Sequence, residues 1–256
     1  PRLIFSPILL LTRLPKFPNS RCALSREKRI GMDQIRLTID GRKAKAKTGD
    51  TVLEAAHKAG IRIPTLCAHE ELEPYGACRL CIVQIEGLRG SPTACTTPVT
   101  DGMVVSTKSE EIIETRREIL KLMLSGHTSP CLVCNDRELC EKYRPRPFKA
   151  GKATRCTFCS NRDRCELREL ADEYKIEEFD LPIIYKNLEV EQDDPFMDRD
   201  YNLCVLCGRC TRICEKIHEI GAIDFINRGK DARIGTAFHR RHTETNCQFC
   251  GACIDV

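Results

Sequence analysis

The sequence predicts an α+β chain of three small domains that lean on metal ligation, and three observations predict it. First, alternating apolar and polar positions around an Asp-Gly pair lead into a short capped helix, the start of a small mixed fold. Second, 18 cysteines in 256 residues is an outlying density. Third, those cysteines recur as CxxC, at Cys78/Cys81, Cys131/Cys134, Cys156/Cys159, Cys204/Cys207/Cys210 and Cys247/Cys250/Cys253. A disulfide scaffold has no use for that grouping, because cysteines this close do not readily bond to each other. A metal, in contrast, needs several thiolates converging on one point.

The amino-terminal stretch comes before the ordered part. Residues 3–12, LIFSPILLLT, are apolar but too short to span a bilayer, and no small-residue cleavage site precedes the basic block after them. Residues 1–31 hold seven Lys/Arg and one Glu, so the +4 net charge of the chain becomes −2 without them. We expect residues 1–31 to be upstream read-through or a disordered extension, with Met32 as the natural start. No other segment is expected to cross a membrane, and the module is expected to be soluble and cytoplasmic.

Residues 34–39 (QIRLTI) and 43–47 flank Asp40-Gly41 and read as a hairpin. Thr48, Asp50 and Thr51 open a helix over VLEAAHKAG, closed by Gly60. A loop with Cys67, Cys78 and Cys81 comes next, then strand-like CIVQI, Cys95 and a strand over MVVST. That order belongs to a β-grasp domain, placed at 32–108. Residues 110–126 carry Ile112, Ile113, Ile119, Leu120, Leu122 and Met123 at helical spacing and read as an amphipathic helix. It opens a small, mostly helical second domain at 109–200, whose cysteine-free part after 166 reads as a helix and a connecting loop. Residues 201–256 form the third domain.

The first ligand set is Cys67-x10-Cys78-x2-Cys81-x13-Cys95. Four thiolates, three in one loop and one distant, suit a 2Fe–2S cluster of the plant-ferredoxin type, with a longer first spacing. Gly76 and Ala77 let backbone amides approach sulfur closely. Tetrahedral zinc is the bland alternative for four cysteines.

The run CAHEELEPYGACRLCIVQIEG…ACTTPVTDGMVV, then His127-x3-Cys131-x2-Cys134-x5-Cys140, then NLCVLCGRCTRICEKIHEIGAI and NCQFCGACIDV, resembles one family over residues 34–256. It is similar to the amino-terminal part of the large iron–sulfur subunit of respiratory complex I. The same part occurs in NAD-linked hydrogenases and in the alpha subunit of NAD-dependent formate dehydrogenases. The resemblance implies a 4Fe–4S cluster held by His127, Cys131, Cys134 and Cys140. A neutral imidazole in place of a thiolate removes one negative charge, so such a cluster takes an electron more readily.

The sequence departs from the family in a second triad, Cys156-x2-Cys159-x5-Cys165, which has no histidine four residues ahead. Its continuation, CELRELADEY, is closer to the segment after the family's single triad than CEKYRPRP is. Three readings stay open. The second triad holds an extra 4Fe–4S cluster with a fourth ligand unnamed. Alternatively His127 joins Cys156, Cys159 and Cys165, the first triad being looped out. Or zinc sits on Cys131, Cys134, Cys156 and Cys159, a CxxC-x21-CxxC pattern of zinc-ribbon type. The extra cluster leads, because zinc would strand Cys140 and Cys165.

Cys204-x2-Cys207-x2-Cys210-x3-Cys214 and Cys247-x2-Cys250-x2-Cys253 read as two halves of a two-cluster 4Fe–4S ferredoxin-like domain, in which the fourth cysteine of each run serves the other cluster. Cys214 is therefore expected to complete the set of Cys247, Cys250 and Cys253. The mirror ligand for Cys204, Cys207 and Cys210 would fall at position 257, so we expect a chain cut in mid-motif. These sets account for every cysteine except Cys22.

One 2Fe–2S and three or four 4Fe–4S clusters, with zinc as the alternative at the extra triad, define an expected electron relay. Clusters pass one electron at a time, whereas NADH gives a hydride, so a flavin must stand between them. No GxGxxG comes after a strand, no P-loop occurs, and Gly87-Leu88-Arg89-Gly90 reads as a turn. FMN and NADH are thus expected on a flavoprotein partner, with a catalytic subunit or carboxy-terminal catalytic domain at the far end for formate, hydrogen or quinone chemistry. No nucleophile–base pair or carboxylate dyad is visible, and no substrate site is expected within these residues. The acidic runs Glu177-Glu178 and Glu191…Asp193-Asp194 read as solvated surface. Arg79, Arg209 and Arg212 are expected to offset cluster charge or to be solvated. The −2 core offers no footprint for nucleic acid. The rival class is a zinc-structured, non-redox interaction protein.

Overall fold

The computed structural model describes residues 34–127, 142, 164–176, 181–182, 184, 186, 188–192 and 198–256. Strands β1 (Gln34–Ile39) and β2 (Arg42–Lys47) pair antiparallel from Gln34↔Lys47 to Ile39↔Arg42. Asp40 and Gly41 both take positive φ, 49° and 76°, the two-residue turn whose twist matches the strands it joins. Alternation along the pair buries Leu37, Ile39, Ala44 and Ala46 on one face.

Helix α1 (Val52–Lys58) closes that face. Thr51 and Glu54 form a reciprocal capping box, and Gly60, at φ 69°, lets the chain leave after the helix. Val52, Ala55 and Ala56 pack on the sheet. Two further strands complete it: β3 (Gln84–Ile85) and β4 (Val104–Ser106), giving the order β2-β1-β4-β3 with β1 and β4 parallel. This is the β-grasp arrangement expected from the hairpin, helix, loop and strand order.

The expected strand over CIVQI is shorter, because only Gln84 and Ile85 reach the main ladder. Its first residues pair elsewhere: Val83 N–H donates to the Pro92 carbonyl, and Ala94 N–H to the Cys81 carbonyl. That detour fastens Cys81 beside the arm that carries Cys95.

Helix α2 (Glu110–Gly126) has the expected bounds, with Ser109 at its amino end accepting from Ile112 N–H. Its buried stripe is Ile112, Arg116, Leu120 and Leu124, whereas Leu122 faces out. Helix α3 (Glu166–Glu173) buries Leu167, Leu170 and Ala171 against α2, forming a second core with Leu66, Cys67, Cys78 and Leu80. The last segment holds short pieces: α4 (Arg209–Arg212) continuing into a π turn at Ile213–Ile217, the hairpin β5 (Asp224–Ile226) and β6 (Arg233–Gly235), and α5 (Ala252–Asp255).

Candidate iron–sulfur sites

Cys67, Cys78, Cys81 and Cys95 are all buried and come together at the seam of the two cores. Cys81 and Cys95 belong to the sheet core, Cys67 and Cys78 to the core beneath α2. They associate as two pairs. The Cys67 thiol donates to Cys78 at 3.4 Å, and Cys81 donates to Cys95. Hydrogen bonding from those partners lowers Cys78 and Cys95, while Cys67 and Cys81 are pushed up. In each pair one thiol thus ionises more readily than its partner, and the ionised form is the one that binds metal.

Backbone amides converge on the same sulfurs. Leu66 N–H donates to Cys78 Sγ at 3.4 Å and Cys78 N–H to Cys67 Sγ at 3.5 Å. The Gly76 amide acts on Cys95 and the Leu80 amide on Cys78. Gly76 sits at φ 70°, and a Cβ there would stand 3.2 Å from Thr96 Cγ2, so the approach needs glycine. Two thiol pairs, dry and ringed by N–H donors, fit a two-iron core that takes two thiolates per iron.

His127, at the end of α2, is buried with its Nδ1 unpartnered. Burial lowers its pKa, while the backbone of Leu203 acts in the opposite direction. A buried imidazole with a ring nitrogen left without a partner is suited to ligate a metal. Cys131, Cys134, Cys140, Cys156 and Cys159 lie outside the described residues. Cys165 caps α3 and packs against the core that holds Leu124, one turn before His127.

The last motif is duplicated in its backbone. Leu206 N–H donates to Cys204 Sγ at 3.4 Å, and Phe249 N–H to Cys247 Sγ at 3.5 Å. Leu206 and Phe249 both take positive φ, 56° and 53°, with Gly208 at 71° and Gly251 at 81° two residues on. Non-glycine residues in that region cost of order 1–3 kcal/mol each and persist where their surroundings demand them. Cys214, Cys247, Cys250 and Cys253 line one cavity together with His242 and Phe249. Cys204, Cys207 and Cys210 act on one another: burial and then its two neighbours push Cys210 up to about 12. Among the described residues no three His, Cys, Asp or Glu side chains close on a single ion-sized point, so the sets are defined by the walls they share.

The two cysteine-rich regions meet at a junction. Cys207 and Val205 pack against the core of Cys67 and Cys78. Arg212 Nε donates to the Gly208 carbonyl at 3.1 Å, Nη1 to that of Glu73 at 2.9 Å, and Nη2 to that of Cys67. Its guanidinium lies 4.6 Å from the centre of the Tyr75 ring. Arg209 pairs with Glu166 at 2.9 Å and hydrogen-bonds Cys207. Arg209 thus stands between a carboxylate and a thiol, and Arg212 is engaged as a clamp. Sequence reasoning missed Tyr75 as the partner of that clamp and missed Arg116 altogether. Arg116 left a trace, a cation in the middle of an apolar stripe at four-residue spacing.

Residues 32–110 match the 2Fe-2S iron-sulfur cluster binding domain. The NADP-reducing hydrogenase subunit HndD of Solidesulfovibrio fructosivorans is 33% identical over 231 residues, covering 88% of this chain and 35% of that protein. The NADPH-Fe(3+) oxidoreductase subunit alpha of Geobacter sulfurreducens is 33% identical over 220 residues, covering 86% and 23%. The mitochondrial NADH-ubiquinone oxidoreductase 78 kDa subunit of Candida albicans is 28% identical over 225 residues, covering 87% and 27%. A solved NAD+-reducing NiFe-hydrogenase in its H2-reduced state superposes with TM-score 0.68 at 27% identity, over 82% of this chain and 79% of that one. The chain thus spans about a quarter to a third of the length of these curated relatives. No helix among the described residues is long and apolar enough to cross a membrane.

Proposed function

We propose that this chain, a relative of subunits of NAD(P)-linked hydrogenases and NADH dehydrogenases, is the single-electron relay of such an oxidoreductase. The observation that carries the reading is the junction. The loop of the first thiol set and the first cysteine run of the last segment share one apolar core and are clamped by Arg212. Adjacent cluster sites held in fixed register are what a relay needs, and a structural metal protein has no use for them.

In this reading Cys67, Cys78, Cys81 and Cys95 hold a 2Fe–2S cluster. Cys214, Cys247, Cys250 and Cys253 hold a 4Fe–4S cluster, and Cys204, Cys207 and Cys210 contribute to a second. His127 ligates a 4Fe–4S cluster with cysteines of the 131–165 segment. When bound, the clusters supply reversible one-electron transfer. The chain's own part is to bury the thiols, aim amide hydrogens at sulfur, exclude water and fix the spacing between sites. A flavoprotein partner that splits a hydride pair into single electrons stands at one end. A catalytic subunit or domain, for hydrogen, quinone or formate chemistry, stands at the other. Free thiols in such number call for a reducing compartment, which we take to be the cytoplasm.

The test is electron paramagnetic resonance on the natural full-length protein, purified without oxygen and reduced with dithionite. One 2Fe–2S signal with several 4Fe–4S signals is expected. Cys81→Ser is expected to abolish the first and spare the others. A colourless, diamagnetic protein containing zinc would replace the relay with the non-redox reading.

A further inference from the structure

Arg116 is the most deeply buried cationic side chain among the described residues, only 2% exposed. It stands in the apolar stripe of α2 between Ile112 and Leu120. Its donors are taken up by four neutral acceptors. Nε donates to the Leu80 carbonyl at 2.9 Å, Nη2 to the Ile82 carbonyl at 2.7 Å, and Nη1 to the Thr107 carbonyl and the Tyr174 hydroxyl, each at 3.0 Å. None of the ion pairs among the described residues includes it.

Hydrogen bonds to neutral carbonyls solvate a guanidinium, but they do not neutralise it. A buried charge is costly unless a charge of opposite sign lies near. Leu80 and Ile82 are the residues on either side of Cys81, itself fully buried and paired with Cys95. The guanidinium therefore grips the backbone of a thiolate-bearing loop from both sides. Two ferric irons, two sulfides and four thiolates leave that site with a negative charge, and one-electron reduction adds another.

We propose that Arg116 is the buried counter-ion of the 2Fe–2S centre and raises its reduction potential. This rests on the 2Fe–2S assignment of Cys67, Cys78, Cys81 and Cys95. The electron comes from a one-electron donor, dithionite in the test, and goes to iron. Arg116 transfers nothing and acts by favouring the more negative state. It is a positioning and tuning residue on α2, bonded to the loop on both sides of Cys81.

The experiment is a potentiometric titration of the 2Fe–2S signal in the natural full-length protein, comparing wild type with Arg116→Met and Arg116→Lys. Met keeps the aliphatic bulk and removes the charge; Lys keeps the charge and disturbs the fork of hydrogen bonds. Arg116→Met is expected to lower the reduction equilibrium constant tenfold or more, each tenfold being about 59 mV for a one-electron couple. Arg116→Lys is expected to stay within threefold of wild type, whatever happens to its melting temperature. Arg116→Met with an intact signal and an unchanged potential overturns the proposal. So does Arg116→Lys with a tenfold loss, which would make the hydrogen-bond fork the cause; that result decides the matter even if Arg116→Met does not load a cluster. Absence of a 2Fe–2S signal in the wild type would instead sink the assignment on which the proposal rests.

Discussion

Gly208 lies between Cys207 and Cys210 in the left-handed region, at φ 71°, and it is also where two regions touch. A Cβ there would stand 3.1 Å from Phe225 Cζ and 3.3 Å from Tyr75 Cε1. Its counterpart in the second half of the motif, Gly251, has the same kind of backbone at φ 81° but nothing within 4 Å. The pair separates conformation from contact. An L-residue in this region costs about 1–2 kcal/mol, and both Gly208→Ala and Gly251→Ala should show it in urea unfolding of the apo-protein. Only Gly208→Ala should lose more than that and also lower the 4Fe–4S spin count relative to 2Fe–2S. Equal losses would mean that the Tyr75 and Phe225 contact carries no weight. The need for small residues was legible before Cys78, where Gly76 and Ala77 precede a ligand. The positive φ of Leu206 and Phe249 was not, because nothing in a leucine or phenylalanine announces a left-handed turn. The sulfur that accepts their amide two residues back sets it.

At the scale of elements, periodicity and caps carried most of the information. The hairpin, α1 and α2 all have strong local signals: the Asp-Gly turn, the Thr51/Glu54 box, Ser109 before a four-residue apolar repeat. The strand expected over CIVQI failed where the local signal met a longer-range demand. Val83 and Cys81 pair with residues 92 and 94 so that two thiols can face each other. The clamp between α4 and the first loop is likewise invisible locally, since Arg212 and Cys67 are 145 residues apart. Removing it by Arg212→Ala should cost about 1–2 kcal/mol, from charged hydrogen bonds in a partly exposed setting plus a cation–π contact. The more telling effect is on register. Each cluster should still assemble, since no ligand is touched, but the magnetic coupling between the reduced 2Fe–2S centre and its 4Fe–4S neighbour should weaken and broaden. Unchanged coupling in pulsed resonance would show that the shared core alone holds the two sites in register.

At the scale of the whole molecule, the ligand sets were legible as spacings, and their contacts were not. The two-half motif groups Cys214 with Cys247, Cys250 and Cys253, and these four cysteines line one cavity. No count reveals that Cys207 packs on the core of Cys67 and Cys78, because that depends on α2 and α3 bringing distant segments together. The 131–165 segment, largely outside the described residues, is where chemistry must decide. There the three assignments differ in metal stoichiometry. Across all sets, an extra cluster predicts roughly 18 irons and no zinc, His127 with the second triad about 14 irons and no zinc, and zinc on the paired CxxC motifs about 10 irons and one zinc. Clusters beyond Val256 would add to any of these totals, so the decisive quantity is the change caused by Cys159→Ser and Cys131→Ser in the natural full-length protein. If each triad holds its own cluster, both substitutions remove about four irons and no zinc. If zinc bridges the triads, both remove about one zinc and leave iron unchanged. If His127 joins the second triad alone, Cys159→Ser removes about four irons and Cys131→Ser removes none. Cys165 packs on the core that holds Leu124, one turn before His127, so loss of iron on Cys159→Ser is the expected result. Loss of zinc instead would move this segment from the relay to the scaffold.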